Sequence, residues 1–177
     1  MANQPTFREN PCPGLPPNKR YIATHNINGK SIYAPSPEQL FMGAGEAGFA
    51  HSYSIPSVPV NLANDVDYKT YLSEGNINSQ KSTHIVVPQT AETPNGANCL
   101  VIDLPPGACS AMHRTVSIDF SICVIGTIVH ELDSGETVTL KPGVCGPFPR
   151  VVLGWMSERL TLNQGPHCAK RYESPVA

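Results

Sequence analysis

His113, Thr115, Ser117 and Asp119 occupy alternate positions within residues 112–120. Side chains two apart on extended backbone stand on one face of a sheet. The spacing therefore predicts an imidazole, two hydroxyls and a carboxylate facing one cavity. Such a set suits metal-free proton transfer. The carboxylate orients the imidazole, and the imidazole moves a proton during dehydration, isomerisation, decarboxylation or cyclisation. Burial tunes both pKa values. His113 and Asp119 are thus the candidate catalytic pair. Thr115 and Ser117 read as substrate-binding hydroxyls or, equally, as groups that satisfy Asp119. Arg114 has the opposite parity and reads as a packing or interface residue, or as an anchor for a substrate carboxylate.

The elements that must position these groups follow from the same alternation. Positions 113 to 123 of odd number are mainly polar, whereas Val116, Ile118, Phe120, Ile122 and Val124 are apolar. A polar row backed by an apolar row fits a barrel wall, polar toward a cavity and apolar toward a second sheet. Gly126 punctuates the stretch, and runs 127–132 and 136–140 read as a hairpin across Asp133-Ser134-Gly135. Upstream, 20–24 and 30–33 read as strands joined at Asn28-Gly29, 35–46 as a loop, and 50–58 as a strand. Residues 64–73 are the helix candidate, with Asn64 as cap and Gly75 beyond its end. Strands are expected at 83–88 and 98–104. His25, His84 and His130 read as surface residues.

These words resemble the first conserved motif of the cupin superfamily: Gly, five residues, His, one, His, three or four, Glu, six, Gly. Gly107, His113, Asp119 and Gly126 keep that spacing, with Thr115 in place of the second His and Asp119 in place of Glu. The run PPG, MHRT, SIDF, HELDSGE is similar to small fungal cupin-domain proteins. The resemblance covers about residues 20–143. It implies an all-β, cupin-like jelly-roll barrel with one short helix. It also implies a tailoring role in fungal secondary metabolism of the polyketide type. The expected activity is that of an oxidoreductase, dehydratase or decarboxylase on a hydrophobic or aromatic small-molecule intermediate. A non-catalytic binding protein is the alternative. The family's metal site would use His113 and Asp119. Two side chains hold an ion only weakly, so either no cofactor is required or Fe, Mn, Ni or Zn binds loosely. The resemblance further implies a homodimer formed through the N-terminal strands.

After Gly143 the resemblance stops. The second cupin motif, with its last metal ligand, is missing, so the barrel is expected to be incomplete at its C-terminal end. Residues 1–19 read as a flexible arm, 20–143 as the cupin-like barrel and 144–177 as a divergent segment, native or produced by a frame or splice change. Within the divergent segment, 151–155 retains strand character.

The 177 residues make one domain, 40% hydrophobic, with a net charge of −2 and 18 prolines and 14 glycines. Neither a basic concentration nor an apolar run of spanning length is present, which argues against nucleic-acid and membrane partners. The six cysteines lack CxxC spacing, and the N-terminus lacks the basic start and apolar core of a signal peptide. Free thiols in the cytoplasm are the expectation.

Overall fold

The computed structural model describes residues 6–9, 12, 14–44, 47–76, 78–82, 96–114, 118–149, 152–157 and 169–176. Short alternating runs separated by turns give short strands. In chain order these are β1 (Phe7–Arg8), β2 (Ile22–His25), β3 (Ser31–Ala34), β4 (Phe41–Ala44), β5 (Ala47–Ile55), β6 (Ala97–Leu104), β7 (His113–Arg114), β8 (Ile118–Ile125), β9 (Ile128–Leu132), β10 (Thr137–Leu140), β11 (Cys145–Pro149), β12 (Val152–Ser157) and β13 (Ala169–Val176). A 3-10 turn, Ala63–Asp65, leads into the short helix α1, Val66–Leu72. The all-β class with one short helix is what the structure shows.

The strands form a seven-stranded sheet in the order β1-β4-β5-β6-β13-β8-β11, a four-stranded sheet in the order β10-β9-β12-β7, and the hairpin β2-β3. Among the described residues the two larger sheets do not close into one barrel. They pack face to face instead. Ile102 and Leu104 of β6 and Cys123 of β8 form one cluster with Ile128 of β9 and Leu140 of β10, each no more than 3% exposed. Burying an aliphatic side chain of this size contributes about 1.5–3 kcal/mol, so this cluster holds the sheets together.

The other face of the large sheet carries a second layer. Ile22 of β2 and Ala34 of β3 pack on Tyr71 of α1, with Tyr53 of β5 against them. Thr24 donates a hydrogen bond to the Asp65 carboxylate, tying hairpin to helix. The hairpin turns where Asn28-Gly29 predicts, with Gly29 at φ +72°, a conformation that glycine adopts without a Cβ clash. The helix start differs from expectation. Asn64 lies inside the 3-10 turn at φ 55°, and Asp65 is the cap residue of α1, with no side-chain capping bond. The Asp65 carboxylate is used by Thr24 instead.

One further expectation is corrected, and two segments gain strand pairings. The expected loop 35–46 contains β4, which pairs with β5 through Met42↔Phe49. The expected flexible arm contributes β1, paired with β4, and the buried Cys12 and Leu15, which pack against Ile125. The divergent segment is built into both sheets. β13 runs between β6 and β8, β11 extends the far edge, and β12 pairs with β9 and β7. The expected strand 83–88 lies outside the described residues.

Candidate active site

The strand predicted across 113–124 is divided. His113 and Arg114 form β7 in the small sheet, opposite Leu153 and Val152, whereas Asp119 lies on β8 in the large sheet. His113 is exposed, and its Nδ1 donates to the Ala111 carbonyl at 2.9 Å. Asp119 is buried, at 7% exposure. The shared parity of the two thus does not survive the step from one sheet to the other. Thr115 and Ser117 lie outside the described residues, and of Arg114 only the backbone is described.

From Asp119 onward the predicted alternation holds. Asp119, Ser121 and Cys123 are buried, while Phe120, Ile122 and Val124 are 38–48% exposed. The polar row therefore faces inward, as predicted. The apolar row lies open on the outside of the sheet, where the sequence predicts cover by a second one.

Strand parity then identifies what shares this interior. Cys123 packs in the inter-sheet core, so Ser121 and Asp119, two and four residues earlier, face the same space. Ile102 is in that core, so Leu100 and Asn98 face it as well. His51 pairs with Leu100 and joins them. On the opposite sheet Ile128 is in the core, so His130 faces inward two residues later. His130 is 1% exposed, which overturns its reading as a surface residue. The inner face thus carries two imidazoles, a carboxylate, an amide and a hydroxyl among aliphatic side chains.

His51 is the most defined of these groups. Its Nδ1 donates to Asn98 Oδ1 at 3.1 Å, both residues being buried. The amide oxygen accepts, so that bond places a proton on Nδ1. An imidazole oriented by a neighbouring amide is a general base held in one tautomer. Sequence reasoning missed both residues. The available signal was the parity of Ala47, Phe49 and His51, which runs His51 into an apolar row.

The interior opens beside His130. A pocket of about 250 Å³ is lined by His130, Leu132, Glu136, Thr137 and Val138. Val138 pairs with His130 across β9 and β10 yet is 45% exposed. The inner face therefore meets solvent there, with the imidazole at the base of the opening.

A divalent ion of the kind the motif implies needs three or more convergent donors. Among the described residues no group of three His, Cys, Asp or Glu side chains could hold a metal ion. The two donors in motif positions lie in different sheets, one exposed and one buried. His113 and Asp119 as placed do not fit a shared metal.

No family profile matches the chain. It is 33% identical over 136 residues to phomopsin biosynthesis cluster protein C' of Diaporthe leptostromiformis, covering 74% of this chain and 66% of that protein. To the cupin-domain-containing oxidoreductase virC of Hypocrea virens it is 33% identical, covering 75% of this chain and 63% of the relative. To the cupin-domain-containing oxidoreductase srdB of Neurospora crassa it is 30% identical over 146 residues, covering 81% and 67%. The chain thus spans just under two thirds of the first two relatives. Among solved structures it is similar to the polyketide cyclase RemF of Streptomyces resistomycificus, at 18% identity and a TM-score of 0.37 over 45% of this chain and 54% of the other.

Proposed function

The chain belongs to the family of fungal cupin-domain proteins, and we propose that it is a tailoring enzyme acting on a hydrophobic or aromatic intermediate of secondary metabolism. The observation that carries this reading is the His51–Asn98 pair, hydrogen-bonded at 3.1 Å on the inner face of the large sheet. The substrate enters the pocket beside His130, against Leu132 and Val138. His51 Nε2 takes a proton from a carbon or hydroxyl of the substrate. Asn98 holds the ring and stabilises the N–H that remains on Nδ1. Asp119, on the same face, serves as the second acid–base group. Proton abstraction of this kind starts an eliminative dehydration, in which water leaves from the adjacent carbon, and starts an oxidation only where a two-electron acceptor takes up the electron pair. The names of the relatives favour the oxidoreductase branch.

The test is disruption of the gene in the producing fungus, followed by incubation of the accumulated metabolite with the purified protein. Conversion to the next metabolite is the expected result, with Asp119→Asn slowing it at least about tenfold. Tight binding of that metabolite without turnover would replace the enzyme reading with that of a binding protein.

A further inference from the structure

The outer face of the large sheet holds a second, larger cavity that the interior chemistry does not use. It measures about 440 Å³ and lies between the β2 end of the hairpin, β5 and α1, lined by Arg20, Tyr21, Gln39, Tyr53, Asp67 and Cys99 among others. Tyr53 pairs with Cys99. Cys99 alternates with Asn98 and Leu100, so this cavity lies across the sheet from the His51–Asn98 pair.

Its chemistry centres on Arg20. One guanidinium nitrogen, Nη1, donates to the Ser52 carbonyl at 3.2 Å and to the Tyr71 hydroxyl. The other, Nη2, donates to the Pro37 carbonyl at 2.7 Å. The guanidinium also stands 5.2 Å from the centroid of the Tyr71 ring. Its Nε–H is buried and makes no hydrogen bond. Every acceptor that holds this cation is neutral. Among the described residues the ion pair that forms is Lys81–Glu74, and it does not involve Arg20. A fixed, partly desolvated guanidinium with neutral partners and a spare donor is set up for an anion.

The rest of the lining narrows the ligand class. Lys19 adds a second cation beside Arg20. Asp67, the carboxylate of the lining, accepts a hydrogen bond from the Tyr53 hydroxyl at 2.6 Å, and burial followed by that bond pushes the Tyr53 hydroxyl far above its ordinary range. Tyr53 is therefore a neutral platform. Burial also pushes the Cys99 thiol up, so Cys99 contributes a neutral, polarizable wall. Tyr21, Ile22 and Tyr53 supply apolar area. An adjoining cavity of about 530 Å³ shares Lys19, Arg20, Tyr21 and Gln39, so room exists on both sides of the guanidinium.

We propose that this outer cavity is a binding site for a small organic carboxylate with an aromatic body, its carboxylate on the Arg20 guanidinium and its ring against Tyr21 and Tyr53. The cavity lies within the usual range for small-molecule sites, about 300–1,000 Å³. The site is also wired to the interior. Arg20 and Tyr71 bond to the carbonyls of Ser52 and His51, and His51 carries the imidazole on the far face. An occupied outer site is thus positioned to act on the geometry of the interior one.

The experiment is calorimetric titration of the full chain with 1-naphthoate and with its neutral isostere, 1-naphthamide, together with backbone amide shifts on binding. The carboxylate is expected to bind at least about tenfold more tightly than the amide. Shifts are expected at Tyr21, Ala23 and Gln39, and Arg20→Lys should weaken binding at least about fivefold. Equal affinity for acid and amide, or shifts centred on His130 and Leu132 instead, would overturn the proposal. Should the Arg20 variant fail to fold, the isostere comparison and the shift map on the native chain still decide it.

Discussion

His51 and Tyr53 lie two residues apart on β5 and face opposite sides of the sheet. His51 pairs with Leu100 and Tyr53 with Cys99, so two steps along β5 match one along β6. Ser52 is the extra residue, a β-bulge, and bulges re-aim side chains next to sites. Without it both side chains would share a face. The bulge places the imidazole inside and the phenol in the outer cavity.

The bulge is held by a side-chain bond that can be tested. Gln39 Nε2 donates to Ser52 Oγ at 2.6 Å, and both residues are buried. Gln39→Ala and Ser52→Ala should each destabilise the protein by about 1–3 kcal/mol in urea denaturation. The double variant should lose little more than the worse single one, because both break the same bond. Additive losses would mean that the two side chains act independently.

Tyr71 connects the layers and makes stability pH-dependent at the alkaline end. Its hydroxyl donates to the His51 carbonyl at 2.6 Å. Burial, partly offset by the Arg20 charge, raises its pKa from 10.0 to about 12. A group whose folded pKa is raised stabilises fully below its unfolded pKa, and loses that contribution as pH rises through the folded one. The urea midpoint should therefore hold to about pH 10 and fall toward pH 12. Tyr71→Phe should start lower and fall less over that window. An equal fall in both proteins would remove Tyr71 from the account.

None of five described cysteines forms a disulfide; Cys109 and Cys145 are exposed and Cys12 and Cys123 buried. Burial raises the Cys99 and Cys123 thiols, and the thiolate is the reactive form. A disulfide exchange reagent at pH 8 should label Cys109 and Cys145 within minutes and the other three at least about tenfold more slowly, read by peptide mass spectrometry. Fast labelling of Cys99 would contradict its placement in the wall of the outer cavity.

The hairpin carries apolar side chains outward. Tyr21 and Tyr33 are more than 70% exposed, and their rings sit 5.7 Å apart. An exposed aromatic pair of this kind suits an interface with a second copy. The full chain is expected to be a dimer by light scattering, and Tyr33→Glu a monomer. A monomeric native chain would end that proposal.

Much of the fold was legible because hairpin signals are local. Asn28-Gly29 and Asp133-Ser134-Gly135 predicted their turns, and the alternation from Asp119 to Val124 predicted which row faces inward. What escaped is what depends on pairing partners distant in sequence. The strand from Phe41 to Ala44 lies in a proline-flanked stretch that reads as loop, and only its pairing with β5 makes it a strand. His113 and Asp119 matched in parity, yet parity carries no information about a chain whose β7, ending at Arg114, and β8, starting at Ile118, belong to different sheets. His130 alternates with Ile128 and Leu132 and was legible as an inward residue by that rule. His51 follows the parity of Ala47 and Phe49, but the outward turn of Tyr53 required the bulge at Ser52, which only the register with β6 reveals.

The most direct measurement compares single-turnover rates of the native chain, His51→Ala and His113→Ala on the metabolite that accumulates without the gene. An interior base at His51 predicts a loss of at least about a hundredfold for His51→Ala and less than about threefold for the surface His113→Ala. Undiminished turnover in His51→Ala, with the loss falling on His113→Ala, would contradict the interior site.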